Sequence, residues 1–380
     1  MLRVEEINDI DALEDYRERW ETLLGRSSSS DLFGSYEWLT SWLNAFWRGK
    51  PIAFLFVWRE ERLVGLVPLL QDVAGELWCP KTLTFPVNPQ TRRADIVCEG
   101  EPDEIVDAAL GYLRQRGQPV RIGLKRVRDD AALLGVLPQV AARHHMLTNT
   151  KPDTEAPILE LEKDWQSYLS SRSRHFRSEL RRKRKAMTRA GTAEWRVVSS
   201  VEEVNDALDE VFSIERDSWK ESEGTSLTTE SGLTTFYRDL ALQCARSGWL
   251  RIYLLQLDSR PIAHVFGVVF DGQLYALKTS YRQEYHHLSP GAVLFGYVVE
   301  DGFAQGYRLL DFLGDKSRWK NEMATGSRQH VNMCVFSASM PKCRFCRLLE
   351  HTVKPAVREK ASFVTPLARW ASRWLPAPFR

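Results

Sequence analysis

Long apolar runs are missing from this chain. The two most apolar stretches, Ile52–Trp58 and Pro261–Phe270, have the length of strands. A membrane-crossing helix needs roughly 18 apolar residues. Cysteine is scarce, with six in 380 residues (Cys79, Cys98, Cys244, Cys334, Cys343 and Cys346), too few for a disulfide framework. Cys343 and Cys346 form a lone CxxC with no second pair at zinc spacing, so no metal site is expected. His286 and His287 are neighbours that point in different directions on regular structure, a poor metal pair. HExxH and GxSxG do not occur, which removes the zincin and nucleophile-elbow readings. Charge of one sign is also lacking: 52 Lys+Arg against 50 Asp+Glu leaves +2. A dedicated DNA-coating protein would be far more basic, so DNA is not an expected partner. The opening residues MLRVEEINDIDALEDYRERW hold no apolar signal core, and a cytoplasmic location is expected.

Aromatic residues are abundant: 13 Trp, 11 Tyr and 17 Phe in a chain that is 43% hydrophobic. That is enough apolar surface for a packed core and rules out disorder as the dominant state. At roughly 150 residues per domain, the length suggests two or three domains. Periodicity gives a strand at Leu2–Ile7, helices over Asp11–Leu24 and Tyr36–Phe46, and strands at Ile52–Trp58 and Leu63–Leu70. Shorter strands are expected at Leu83–Phe85 and Ala94–Cys98. A helix over Pro102–Arg116, a strand at Val120–Val127, a helix over Asp130–His144 and a strand near Ala156–Leu161 complete the half. A similar order then recurs from Thr192–Ser199. Val201–Lys220 reads as a long helix or a bent pair and Ser231–Ser247 as a helix. Leu250–Leu257, Pro261–Phe270 and Leu274–Tyr281 are strands, separated by Asp258-Ser259-Arg260 and by Asp271-Gly272, both hairpin signals. A helix at Ser289–Gln305, a strand at Leu309–Leu313 and a late strand at His330–Ser337 follow. One architecture is used twice, which predicts two α/β domains joined near residues 160–190.

Chemistry concentrates in Leu274–Gln305. A strand ends at Tyr281, a polar loop follows, and Ser289-Pro290-Gly291 opens a helix. Ser is expected to cap the helix, Pro to fit its first turn, and Gly291 to bare the backbone. A strand running into exposed amides at a helix start suits an anion such as pyrophosphate; a plain capped helix is the alternative.

The order of elements in residues 192–337 resembles the GNAT acyltransferase fold. More specifically, the chain resembles the CelD-like (cellulose-biosynthesis-associated) branch of GNAT proteins, related to the FemAB aminoacyltransferases. The residues that carry this are Phe33–Leu39 (FGSYEWL), the basic helix around Arg177–Lys185, and Pro261–Phe266 (PIAHVF). Lys278–Tyr281 (KTSY), His287–Gly291 (HLSPG), Leu310–Asp315 (LDFLGD) and Arg318–Lys320 (RWK) complete the set. The loop lacks the family's full glycine pattern: Gly291 matches, but Ser stands at 289. The resemblance implies tandem GNAT-like (acyl-CoA N-acyltransferase) domains of α/β class, with mixed, mainly antiparallel sheets flanked by helices. The expected divisions are 1–160 (a GNAT-like half without a donor site), 161–190 (a basic connecting helix), 191–345 (the half with the donor site) and 346–380 (a basic amphipathic tail).

It implies an acyl-CoA co-substrate whose pantetheine lies along Lys278, Thr279 and Ser280. The pyrophosphate would meet Leu288, Ser289, Gly291 and Ala292. The acyl group would pass to an amine in preference to a hydroxyl, in a polysaccharide, cell-envelope or secondary-metabolite pathway. The helix region holding Glu215 and Trp219 lines the acceptor groove in this fold. Glu215 is a candidate general base, Trp219 a candidate acceptor contact, and a Glu215 salt bridge to Lys220 or Arg216 the plainer reading. Tyr281 and Tyr285 are candidates for the acid that protonates the leaving thiolate. Asp311 should face opposite to Phe312 on its strand and could orient the amine, while Asp315, Arg318 and Lys320 could bind an anionic acceptor or the donor phosphates. The segment Arg172–Arg189 carries nine Lys/Arg against one Glu, so +8; subtracting this from the overall +2 leaves −6 for the remainder. It could track coenzyme A phosphates, an acidic acyl carrier protein or tRNA, or be a solvated connecting helix. Residues 360–380 could lie on a membrane surface or pack across the domains. Two rival readings stand beside the acyl-CoA enzyme: a FemAB-type aminoacyl-tRNA-dependent transferase, and a non-catalytic scaffold in exopolysaccharide assembly.

Overall fold

The computed structural model describes residues 2–27, 31–72, 82–91, 93–116, 121–314 and 317–337. Cys343, Cys346, Asp315 and the 346–380 tail lie outside the described residues. The first half contains β1 (Leu2–Ile7), α1 (Arg17–Arg26), α2 (Tyr36–Phe46), β2 (Ile52–Arg59), β3 (Arg62–Asp72), β4 (Thr82–Thr84) and β5 (Val97–Cys98). It continues with α3 (Pro102–Gln115), β6 (Arg121–Arg128), α4 (Ala132–Arg143) and β7 (Met146–Glu160). Two connecting helices follow, α5 (Trp165–Ser171) and α6 (Arg174–Ala190). The second half runs β8 (Ala193–Val198), α7 (Val204–Arg216), α8 (Trp219–Ser222), α9 (Ser231–Arg246), β9 (Leu250–Leu257), β10 (Arg260–Phe270) and β11 (Gln273–Tyr281). It closes with α10 (Pro290–Ala304), β12 (Leu309–Asp311), α11 (Arg318–Met323) and β13 (Gly326–Ser337).

The strands form one continuous sheet in the order β1-β2-β3-β4-β6-β13-β7-β12-β11-β10-β9-β8, with β5 alongside β3. Only β4–β6 and β11–β12 are parallel; each other pair is antiparallel. The halves exchange their last strands. β13, the last strand among the described residues, pairs with β6 and β7, and β7 pairs with β12 of the second half. The halves also share a core on one face of the sheet. Trp38 of α2 meets Phe236 of α9 edge to face at 5.1 Å, and Gln243 Nε2 donates to Ser41 Oγ at 2.9 Å.

Local chemistry explains where elements differ from expectation. The strand expected at Ala156–Leu161 is the end of a 15-residue strand, because β7 is gripped on both sides by second-half strands that no local pattern announces. The strand expected at Ala94–Cys98 shrinks to two residues, since Ala94 N instead donates to Arg126 O. The helix expected over Asp11–Leu24 begins as a 3₁₀ segment, Asp11–Tyr16, before α1. The hairpin signals hold: Asp258, Ser259 and Asp271 all take positive φ. Among the described residues no helix is long and apolar enough to cross a membrane, and no His/Cys/Asp/Glu group could hold a metal ion.

Candidate functional site

β11 and β12 pair only from Gln273/Leu309 to Tyr275/Asp311. Beyond that pair the strands part. Leu313 and Gly314 take φ of +46° and +82°, which swings the chain away, and the Leu313 amide donates to Asp311 Oδ1 at 2.9 Å. A leucine in the left-handed region is strained, and such strain gathers at functional turns. On its other edge β11 slips register: Phe266 faces Lys278 but Gly267 faces Ala276, so Leu277 is an extra residue. A bulge of this kind bends a strand and re-aims its side chains. Two ammonium groups cap carbonyls across the opening. Lys220 Nζ donates to Thr279 O on β11, and Lys320 Nζ donates to Leu313 O (2.7 Å) and Phe312 O (3.3 Å) beyond β12.

Beyond the bulge, Lys278 and Ser280 share the α7 face of the sheet with His264, the cross-strand partner of Ser280. Glu215, at the end of α7, is fully buried. His264 Nε2 donates to Glu215 Oε1 at 3.0 Å, Lys220 Nζ stands 3.4 Å from the same oxygen, and the Leu227 amide donates to Oε2 at 3.1 Å. Burial pushes the Glu215 carboxyl up, but the His264 bond, the surrounding positive charge and the Leu227 amide outweigh it and hold its pKa at about 2. Burial also lowers the His264 pKa, opposed by Glu215 and helped by Lys220 and Lys278, which favours the neutral ring. The carboxylate fixes the tautomer: Nε2 carries the proton and Nδ1 the lone pair. His264 Nδ1 and Ser280 Oγ are both buried without a hydrogen-bond partner.

Glu215 is therefore corrected from candidate base to anchor. It is enclosed, already saturated with donors, and its pKa lies far below that of a useful base at neutral pH. Sequence reasoning missed His264. It sits in an apolar strand, where a single histidine reads as a core residue; its alternation onto the Lys278/Ser280 face was the available signal.

On the opposite face, Tyr281 packs against the start of α10. A Cβ placed on Gly291 would stand 3.3 Å from Tyr281 Cδ1. Ser289 does not cap α10 as expected: it takes a left-handed conformation (φ +54°), and its side chain makes no capping bond. A positive φ of this kind is one that glycine adopts without a Cβ clash. The Ala292 and Val293 amides donate back to Ser289 O (3.1 and 3.2 Å), and among the described residues Gly291 N has no such backbone bond. The basic helix α6 runs alongside. Phe176, Leu180 and Met187 are its buried side, and a Cβ on Gly296 would fall 2.9 Å from Leu180 Cδ1. Arg184 pairs with Glu300 at 2.8 Å and lies over the Tyr297 ring at 4.2 Å. Because Leu180 meets Gly296 and Arg184 meets Glu300, the two helices run in parallel, so the start of α6 lies beside the start of α10. Arg174, Arg181, Arg182, Lys185 and Arg189 are exposed.

The remaining sequence candidates separate. Tyr285 is half-buried against the edge of the second-half core, and its hydroxyl accepts from Arg260 Nη1 at 3.4 Å. Arg318 is exposed and paired with Glu322 at 3.1 Å, and Trp219 is exposed. Leu288 and Thr279 are half-buried at the rim. Asp311 does face away from Phe312, which stacks on Phe295 at 5.4 Å, but it is fully buried in an ion pair with Arg93 of the first half. Arg93 in turn donates to Asp31 Oδ2 at 2.7 Å. Asp311 thus ties the halves together and is not free to orient an amine. The matching opening in the first half is occupied by the chain itself: Ala94 N donates to Arg126 O, and Arg126 Nη1 donates to Thr91 O (2.7 Å) and Asn88 O (3.0 Å).

Residues 174–321 match the family model described as an acetyltransferase (GNAT) domain. A search of curated proteins finds no match. Among solved structures, FemX aligns with a TM-score of 0.59 at 12% identity, covering 92% of this chain and 100% of its own. The C-terminal domain of a candidate lysylphosphatidylglycerol synthetase from Agrobacterium fabrum aligns with a TM-score of 0.54 at 13% identity, covering 88% of this chain and 96% of its own. A conserved protein of unknown function from Bacteroides thetaiotaomicron gives 0.54 at 11% identity, covering 88% and 100%. At these identities the likeness is one of fold, and it extends over both halves.

Proposed function

We propose that the second half is an acyltransferase that moves an acyl group from acyl-CoA to an amine. The observation that carries this reading is the opening between β11 and β12, with the bulge on one bank and the start of α10 beside it. The residues present suit the co-substrate. The extended backbone of Lys278–Tyr281 can align the pantetheine arm, Gly291 N can meet the pyrophosphate, and Arg174 and Arg181 add positive charge beside it. In the reaction, the amine nitrogen attacks the thioester carbonyl, the carbon–sulfur bond breaks, and the thiolate leaves. His264 Nδ1 takes the proton released by the amine, with Ser280 Oγ turning to bridge the two once the substrates are bound, while Glu215 positions the ring. Tyr281, on the α10 side of β11, is the candidate donor of a proton to the thiolate. Positioning supplies most of the rate, since thioester and amine are already reactive partners.

The test is calorimetric titration with acetyl-CoA and a long-chain acyl-CoA. Micromolar binding that is lost in Gly291→Glu, which would push a carboxylate between Tyr281 and the phosphates, supports the reading. Failure of both ligands to bind sinks it. The exposed basic face of α6 favours one second reading, an aminoacyl-tRNA donor. That reading requires tRNA to co-purify, seen as a high 260/280 nm absorbance ratio that RNase abolishes.

A further inference from the structure

A cavity of about 590 Å³ lies between the two halves. Its walls are the Asp31–Gly34 turn, segment 93–97, the end of β6 with the start of α4, the turn between β10 and β11, and Arg328 of β13. The cavity abuts the point where β11 and β12 part. Phe33, in its wall, meets Tyr275 edge to face at 5.9 Å, and Arg93, also in its wall, lies over the Tyr275 ring at 5.4 Å and pairs with Asp311. Tyr275 and Asp311 are the last paired residues of the two strands.

Most charges in the wall are matched: Arg93 pairs with Asp31 (2.7 Å) and Asp311, Arg128 with Asp130, and Arg308 with Asp271 (2.7 Å), so Arg328 and Asp95 are the two that stand out. Arg93 is 3% exposed, and its Nε has no hydrogen-bond partner. Among the described residues Arg328 pairs with Asp311 alone, at 3.5 Å, and its Nη1 makes no hydrogen bond. Burial, together with the neighbouring Arg93 and Arg128, lowers the Arg328 pKa to about 10. Ala131 and Ala132 bring the start of α4 to the same wall, with no side chain capping it. Asp95 is the converse case. Among the described residues its carboxylate accepts from the Ile96 amide at 2.8 Å and makes no ion pair, and burial, with Asp31 adding to it, raises its pKa to about 7. Enclosed charge is costly unless paired. One ligand with an anionic group for Arg328 and an ammonium for Asp95 would complete both.

We propose that this cavity holds the acyl acceptor, and that the acceptor is an α-amino acid with a second amine on its side chain. The α-carboxylate meets Arg328, the α-ammonium meets Asp95, and the side-chain amine points towards Tyr275 and Asp311, where β11 and β12 part. The assignment of the acceptor rests on the acyltransferase reading above; the cavity's preference for an α-amino acid does not.

The experiment is titration of the full chain with L-ornithine, 5-aminopentanoate, which lacks the α-amine, and putrescine, which lacks the carboxylate. L-ornithine is expected to bind at least tenfold more tightly than either. Asp95→Asn should erase its advantage over 5-aminopentanoate, and Arg328→Gln its advantage over putrescine, with Arg328→Lys restoring part of the latter. Circular dichroism melts identify any variant that fails to fold, and the three-ligand comparison in the wild-type protein stands without the variants. Absence of L-ornithine binding, or equal binding of all three ligands, overturns the proposal. Acyl-CoA titration of the wild-type protein is read separately. Acyl-CoA binding without L-ornithine binding removes this inference alone. L-ornithine binding without acyl-CoA binding removes the acyltransferase reading and leaves the cavity a site for the amino acid.

Discussion

Glu215 and His264 show how burial reverses a residue's apparent role. Spacing on a helix made Glu215 a candidate base, but only the fold brings it against His264, 49 residues away. The pair makes two predictions. Glu215→Gln keeps the shape but weakens hydrogen bonds to a charged acceptor, and should lower unfolding free energy at pH 7 by about 1.5–3 kcal/mol. The folded pKa of Glu215 is about 2 against an ordinary 4.5. Its contribution is therefore fully present above pH 4.5 and is lost as the pH falls from 4.5 towards 2. Denaturant unfolding of wild type and variant should converge across that window; a constant gap would show that the carboxylate is not held in its charged form. His264→Gln should leave acyl-CoA affinity unchanged and reduce kcat by about 10²-fold, the ordinary share of a positioned base. A variant that lost donor affinity and kept kcat would return His264 to the core.

At the scale of elements, the helices and hairpins were legible because their signals are local. The apolar periodicity of α2 and the Asp-Gly turn before β11 are both readable from neighbours in sequence. The β11 bulge was not legible, since it exists only in register against β10. Nor was the left-handed start of α10, because Ser-Pro-Gly reads equally well as an ordinary cap. That strain predicts that Ser289→Gly stabilises the protein by about 0.5–1 kcal/mol, because glycine takes positive φ without a Cβ clash. A thermal melt would show it, and an unchanged or lower midpoint would mean that the serine side chain has a partner of its own. The basic helix divides by position along its length. Arg184 is tied to Glu300 and Tyr297 and serves packing, whereas Arg174 and Arg181 are exposed on the half of α6 that adjoins the α10 start. Replacing Arg174 and Arg181 with Gln should weaken acyl-CoA binding several-fold at low salt and flatten its salt dependence. Arg184→Gln should instead lower the melting temperature and leave the salt slope alone. The opposite pattern would move the phosphate contact elsewhere.

For the whole molecule, the repeat of one architecture was legible from the order of elements, but the exchange of strands was not. Nothing in the sequence of β7 or β13 says whether its partner lies 30 or 180 residues away; both strands are simply alternating and long. The exchange matters because a strand's stability comes from its neighbours. β7 has both of its ladder partners, β12 and β13, in the second half, and β13 has both of its own, β6 and β7, in the first. A cut after residue 190 would leave β7 with no strand on either side and strip β6 of its β13 edge. It would equally leave β13 unpaired and β12 bound only through its short parallel contact with β11. Open edges of this length invite aggregation. The shared core between α2 and α9 would be exposed at the same time, a patch rich in Trp and Phe. The intact chain should therefore unfold in one cooperative transition, seen together by tryptophan fluorescence and far-ultraviolet dichroism. Residues 1–190 and 191–380, produced separately, should each lack a cooperative melt, whereas produced together they should purify as a one-to-one complex that melts cooperatively. A separate 191–380 fragment that melts cooperatively and binds acyl-CoA would show that the donor half stands without β7, and that the exchange joins the halves without being required to form them.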